Sequence, residues 1–432
     1  MALSAYTDRL ATYRAALTRR DFRYLFLGQA VSQFGDWINK VALIVLVYQL
    51  TGRQAAVALV MLAQLLPRAV ILPFGGVLAD RYPKRDLMLM ADLVRAFLAT
   101  TMILVTTARG LWWMLAAVLA MQGLAAVFNP ARSATIPALV PREHLGAANA
   151  INSLSGQLAF FLGPALGGLF IALWGVDAVF LLNAATFLLS AFFLWRMRLV
   201  EPAPKGVARG VVLRDLREGW AVVARERAAR AIFSAIFLGA AVAIGLNVLL
   251  VALLADPLRR PAADLGPLMT MVGLGTLGGT ALALGLMGRL RIVPLVSLLA
   301  LGLTLDMVAI GAARSFAVVA AALVVNGALT MANELIAETT LQRLVPADRL
   351  GRVLGLLFWT MTLGQVVGAV GAGLLPDAAG LSAARATQVL GLAFAALLGV
   401  ALVGWVGLSG APARRRASRA QIEPPPVGKT IG

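Results

Sequence analysis

Long apolar runs separated by short polar gaps set the pattern of this chain. Twelve runs can be counted, at about 23–50, 55–79, 86–108, 111–131, 147–172, 177–197, 231–254, 265–288, 291–313, 315–340, 353–375 and 384–408. At a helical rise of about 1.5 Å per residue, a run of roughly twenty residues crosses the ~30 Å hydrocarbon core of a bilayer. In lipid every backbone polar group needs an internal partner, so such runs are helices or barrel strands. Barrel strands would be about ten residues long with alternating polarity, and no such alternation is present. The pattern predicts an all-α membrane protein with twelve transmembrane helices.

The longest polar interruption, 198–230, divides the runs six and six. Within it Leu213, Leu216, Trp220, Val223 and Ala224 recur at helical spacing with charges on the other face. That is the pattern of an amphipathic helix lying on a membrane surface. The first residues set Leu10, Tyr13 and Leu17 against Arg9 and Arg14 in a similar way. The expected organisation is an N-terminal amphipathic segment (1–22), a six-helix bundle (23–197), the linker and its helix (198–230), a second six-helix bundle (231–408) and a basic, disordered tail (409–432). The stretch Leu139-Val140-Pro141-Arg142-Glu143-His144-Leu145-Gly146, after run four, returns as Leu344-Val345-Pro346-Ala347-Asp348-Arg349-Leu350-Gly351, after run ten. A similarity at equivalent places in the two halves argues for a parallel repeat, and hence two pseudo-symmetric bundles.

Charge then gives orientation. A net charge of +18 suggests nucleic acid as a partner, but the cations are not spread evenly. With the N-terminus inside, 29 of the 38 Lys and Arg fall in inner segments and 6 in outer loops. This is the positive-inside rule, which predicts both termini in the cytoplasm and anionic lipid, not nucleic acid, as the basic surface's partner. The first run is far too long for a signal-peptide core and is expected to remain as the first span. There are no cysteines, and the single His144 falls in a predicted loop. No metal, cofactor or enzymatic chemistry is expected, since no nucleophile, ligand cluster or phosphate loop stands out.

Ionisable residues inside spans are costly and mark function. Counting along run one, Asp36 lies about 18–20 Å deep, near the midplane, with Lys40 one turn further. Arg68 falls near the middle of run two. Asp36 is either a proton-responsive carboxylate that pairs with Arg68 or Lys40, or part of a permanent ion pair holding runs one and two together. Asp306 is the only acid deep in run nine and a second proton-site candidate. Gln122, Gln157, Asn247 and Gln365 are uncharged polar groups near mid-depth. With Phe34, Trp37, Phe160, Phe161, Phe358 and Trp359 they could line an amphipathic cavity. Asp92 and Arg95, three residues apart and one to two turns inside run three, read first as a structural pair tied to the charged loop before it, with a substrate site as the alternative. Glu334 and Glu338, one turn apart and followed by Arg343, either meet cations at an inner gate (Arg132, Arg343 or the loop between runs two and three) or are ordinary solvated rim residues.

The loop between runs two and three, Gly76-Val77-Leu78-Ala79-Asp80-Arg81-Tyr82-Pro83-Lys84-Arg85, resembles the signature of the major facilitator superfamily, with Pro83 where that signature has glycine. Gly163-Pro164-Ala165-Leu166-Gly167-Gly168 resembles part of a motif of drug–proton antiporters, with Ala159 in place of an earlier glycine. Phe128-Asn129-Pro130-Ala131-Arg132 and Gly35-Asp36-Trp37 are similar to the branch of macrolide-efflux proteins, the enterobactin exporter and transmembrane secretion effectors. The resemblance implies a latch at Gly76, Asp80, Arg81, Lys84 and Arg85 that holds the two bundles together on the cytoplasmic side. It also implies close helix packing at Gly163, Pro164, Gly167 and Gly168. The function it implies is proton-coupled efflux of a small amphipathic molecule by alternating access, in the inner membrane of a bacterium, with the protein acting as a monomer. A facilitator or importer of the same fold is the alternative; a membrane scaffold or sensor using the basic linker is a more distant one.

Overall fold

The computed structural model describes residues 17–198, 226–287, 291–345 and 347–407, without side chains at 68, 69, 71–81, 142, 347–352 and 403–407. The N-terminal interfacial segment, the linker helix and the basic tail expected from the sequence lie largely outside the described residues.

Among the described residues there are helices and no strands. They are α1 (Arg20–Thr51), α2 (Gln54–Arg81), α3 (Lys84–Thr101) and α4 (Leu111–Leu139), followed by Leu145–Arg196. That last segment is broken at Gly175, whose φ of 80° lies in the left-handed region glycine accepts without strain. It therefore supplies two spans, α5 (145–174) and α6 (176–196). After the linker come α7 (Arg227–Ala255), α8 (Leu265–Leu286), α9 (Ile292–Ala312), α10 (Phe316–Leu344), α11 (Ala347–Ala379) and α12 (Ala383–Gly407). The twelve predicted runs thus become twelve helices.

The packing repeats with an offset of six helices. α1 packs on the α5–α6 segment as α7 packs on α11, α2 on α4 as α8 on α10, and α3 on the α5–α6 segment as α9 on α12. α7 is apolar all round and buried along nearly its whole length, as expected of a helix surrounded by others. Elsewhere the exposed side chains are large and apolar, among them Phe97, Leu104, Leu173, Leu188, Leu284 and Val400. In water such a surface would be an aggregation liability; in lipid it is the solvent-matched face.

The first six helices meet the last six through α5 with α8 and through α2 with α11, a pairing that itself obeys the six-helix offset. Both contacts reach the predicted outer ends. A Cβ on Gly168 would strike the carbonyl of Ala263 just before α8, and one on Gly373 would strike Ala58. The same end carries an ion pair between Arg53 Nε and Asp377 Oδ2 at 3.3 Å. Small residues let these backbones approach, which is how helices associate when lipid offers no hydrophobic drive.

Candidate functional site: a polar cavity around Asp36, Arg95 and Asp92

Asp36 lies halfway along α1. Its neighbour Gly35 faces α6, where a Cβ would strike Thr186 and Asn183, so the missing side chain brings α1 onto α6. Two residues further along, Trp37 packs against Gly163 of α5 and edge-on to Phe160, with ring centroids 4.9 Å apart. Ile38 packs against Gly167. Held on both sides, α1 presents Asp36 to a cavity.

Arg95 of α3 reaches the same point. Its Nη2 lies 2.9 Å from Asp36 Oδ2 and its Nη1 lies 3.2 Å from Asp92 Oδ1. The guanidinium carbon sits 4.0 Å from the centroid of the Phe187 ring. Arg95 and Asp92 side chains are 6% and 0% exposed, whereas Asp36 is 42% exposed, to the cavity. One cation is therefore shared by two carboxylates, one sealed and one open. Charge-assisted bonds of this kind are short, directional and strengthened by a low-dielectric surrounding.

The cavity has a volume of about 450 Å³ and lies between Asp36 and the predicted inner end of the bundle. Its described lining comes from α1, α3, α4 and α5. α1 contributes Gln29, Ser32, Gln33 and Asp36; α4 contributes Ala125, Phe128, Asn129 and Arg132; α5 contributes Asn149, Asn152, Ser153 and Gly156. Each set has the spacing i, i+3, i+4, i+7, which is one face of a helix. Arg132 Nη1 donates to Gln29 Oε1 at 3.1 Å. Beyond Asp36, a smaller pocket of about 30 Å³ is lined by Asn39, Lys40, Gln64, Arg95 and Gln122, among others.

Several expectations change. Asp36 pairs with Arg95, not with Lys40, whose Nζ rests 4.6 Å from the centroid of the Trp37 ring. The side chain of Arg68 lies outside the described residues. Asp92 and Arg95 belong to this central cluster, not to the loop. α3 begins at Lys84, so Arg95 stands about three turns in, level with Asp36. Gln157 is exposed and outside the lining, because it falls off the α5 stripe by one residue. Gln365 is half-buried and lines neither polar cavity. Asp306 stands apart on α9, accepting from Asn326 Nδ2 of α10 at 3.1 Å. Glu334, Glu338 and Arg343 are exposed at the inner end of α10. Glu338 accepts from Gln342 Nε2, and among the described residues neither glutamate forms an ion pair. Of the loop residues, Arg85 donates to the carbonyls of Leu194 and Trp195 in the last turn of α6, where carbonyls lack the i+4 partner of a continuing helix. The side chains of Asp80 and Arg81 lie outside the described residues.

Sequence reasoning missed Gln29, Ser32, Gln33, Asn129, Asn149, Asn152 and Ser153. The signal was present, since polar residues in a span recurring at i, i+3, i+4 mark a face turned away from lipid.

The family profile of transmembrane secretion effectors matches residues 11–431. Over 381 residues the chain is 27% identical to YfiS, an uncharacterized MFS-type transporter of Bacillus subtilis (strain 168), covering 83% of this chain and 88% of that protein. Over 363 residues it is 28% identical to the enterobactin exporter EntS of Escherichia coli O1:K1 / APEC, covering 82% and 84%. A bacterial homolog of the human lysosomal transporter Spinster, solved inward-facing and unoccupied, superposes with a TM-score of 0.70 at 15% identity, over 89% of this chain and 96% of that one. The last likeness is one of fold.

Proposed function

We propose that this chain, which belongs to the transmembrane secretion effector family of major facilitator transporters, exports a small amphipathic molecule in exchange for protons by alternating access. Transport of a small molecule across a membrane follows from the family; direction, coupling ion and cargo are the proposal. The observation that carries it is the sharing of Arg95 between sealed Asp92 and cavity-facing Asp36. With both carboxylates ionised the cluster holds one negative charge in excess, so one proton on Asp36 brings it to neutrality. Protonation removes the charge that binds Asp36 to Arg95 and leaves Arg95 with Asp92. The contact between α1 and α3 thereby depends on the proton, and two bundle arrangements that differ in this contact would be populated differently.

In this reading the cavity is the inward-open half of the cycle, closed by the α5–α8 and α2–α11 contacts outside. The loop around Gly76, Asp80, Arg81 and Lys84 latches the bundles in the opposite arrangement. Both termini face the cytoplasm of a bacterial cell, where the basic segments meet anionic headgroups.

The test is proton release from purified protein on addition of cargo, screened over siderophores, macrolides and dyes. The wild-type protein should release protons with at least one binder, and Asp36→Asn should bind it without release. A confirmed binder that releases none from the wild type would leave a facilitator as the better reading.

A further inference from the structure

Among the described residues Arg132 is a cation without a carboxylate partner. It stands in the lower part of the cavity, and its one hydrogen-bond partner among the described residues is the amide oxygen of Gln29. Its Nε is buried with no partner, as is Nε2 of the same Gln29. Both are donors. Around them the cavity wall is made of amides and hydroxyls: Asn129, Asn149, Asn152 and Ser153. The two other charged groups in the lining, Asp36 and Arg95, pair with each other nearer the midplane, where Arg95 is shared with sealed Asp92. A buried donor without an acceptor is costly, and a guanidinium more so, unless something supplies the acceptor.

From this we infer that the cavity binds cargo bearing an anionic group, a carboxylate or an acidic phenol, with that group on Arg132 and Gln29 and its hydrogen-bonding groups on the amides of α4 and α5. Gln29 and Asp36 are seven residues apart on α1, two turns or roughly 10 Å. An anion on Arg132 therefore does not occupy the place of the proton on Asp36. Exchange of the two is carried by the arrangement of the helices, not by competition for one group. Lys40, resting on the Trp37 ring, adds a second positive charge beyond Asp36. A cationic cargo seated at Arg132 would meet like charge there, while the cavity-facing carboxylate of the described lining, Asp36, stands two turns away and already holds Arg95. The inference deepens the export reading and rests on it only for the word cargo; the binding chemistry stands without it.

The experiment uses two xanthene dyes of closely similar shape and opposite charge, fluorescein and rhodamine 123, titrated into full-length protein in lipid nanodiscs and followed by fluorescence polarisation. No gradient is applied, so neither direction nor coupling enters. Wild-type protein should take fluorescein at least tenfold tighter than rhodamine 123. Arg132→Gln should weaken fluorescein on the order of tenfold or more, the loss of one charge-assisted pair, and erase the preference. Arg132→Lys, which keeps the charge and loses the fork, should retain most of it. Arg109→Gln, at an exposed arginine between α3 and α4, should change neither affinity. Preference for rhodamine 123, binding of neither dye, or fluorescein affinity unchanged in a folded Arg132→Gln protein would each overturn the inference. Anion preference together with proton release that persists in Asp36→Asn would instead count against the coupling reading alone.

Discussion

Replacing Arg95 with methionine tests whether the cluster is built as described. The substitution keeps an apolar side chain of similar length beside Phe187, whose ring the guanidinium carbon overlies, and removes the guanidinium 3.2 Å from Asp92. Asp92 is 0% exposed, so its charge would be stranded in the protein interior. Breaking a buried pair from one side costs about 3–5 kcal/mol. Asp36 presents a different case. At 42% exposure its pair with Arg95 is partly screened, and Asp36→Asn leaves Arg95 and Asp92 intact, for a cost of about 1 kcal/mol or less. Replacing both members of the sealed pair, as Asp92→Leu with Arg95→Met, removes the stranded charge and should recover most of the loss, because apolar packing of similar volume substitutes well for a buried ion pair. Denaturant titration in detergent micelles, followed by tryptophan fluorescence, should therefore rank wild type, Asp36→Asn and the double variant close together, with Arg95→Met well below. An Arg95→Met midpoint equal to wild type, or a double variant as weak as the single, would refute the assignment of Asp92 as a buried charge held by Arg95.

Three further outcomes can be read with one reporter, since a chain without cysteines gives Asn152→Cys as its sole thiol, inside the cavity. Gly168→Leu puts a side chain where the backbones of α5 and the segment before α8 touch, so outer closure should be hindered and maleimide labelling from the inner side should fall several-fold; undiminished labelling would mean the contact does not close the cavity. Arg53→Gln removes an ion pair whose arginine is 68% exposed, so the denaturation midpoint should stay close to wild type while labelling declines modestly; a large loss of stability would contradict the reading of this pair as a rim contact. Asp80→Asn weakens the proposed inner latch and should raise labelling, and unchanged labelling argues that the loop is a plain charged turn.

The helices were legible because lipid leaves the chain no choice. A backbone that must satisfy itself over 30 Å yields runs that hydropathy alone can count, and even the division at Gly175 falls between runs ending at 172 and beginning at 177. The site was legible only in part. Asp36 stood out because a charge in mid-span has a cost that composition makes visible. Its partner did not, since Arg95 is 59 residues away on another helix, and its i, i+3 neighbour Asp92 offered a local explanation that was also true. The depth of Arg95 was the missing number, and it depends on where α3 starts, which Pro83 sets by ending the turn before Lys84.

The polar stripes carry the larger lesson about such chains. A single glutamine or asparagine in a span says little, since one amide can bond within its own helix, as Asn247 does to the carbonyl of Ala243. Four polar positions in one register on α1, joined by Asn129 and Arg132 on α4 and by Asn149, Asn152 and Ser153 on α5, are more than local bonding accounts for. Faces so patterned must turn toward each other or toward a ligand. Here their walls stand around a cavity of about 450 Å³, with buried donors on Gln29 and Arg132 still lacking acceptors. Stability alone would have filled those positions with leucine and alanine, as it does along α7. A polar surface kept open inside a greasy bundle adds nothing to stability; under the proposed function it faces cargo, and the unpartnered donors on Gln29 and Arg132 match an anionic group.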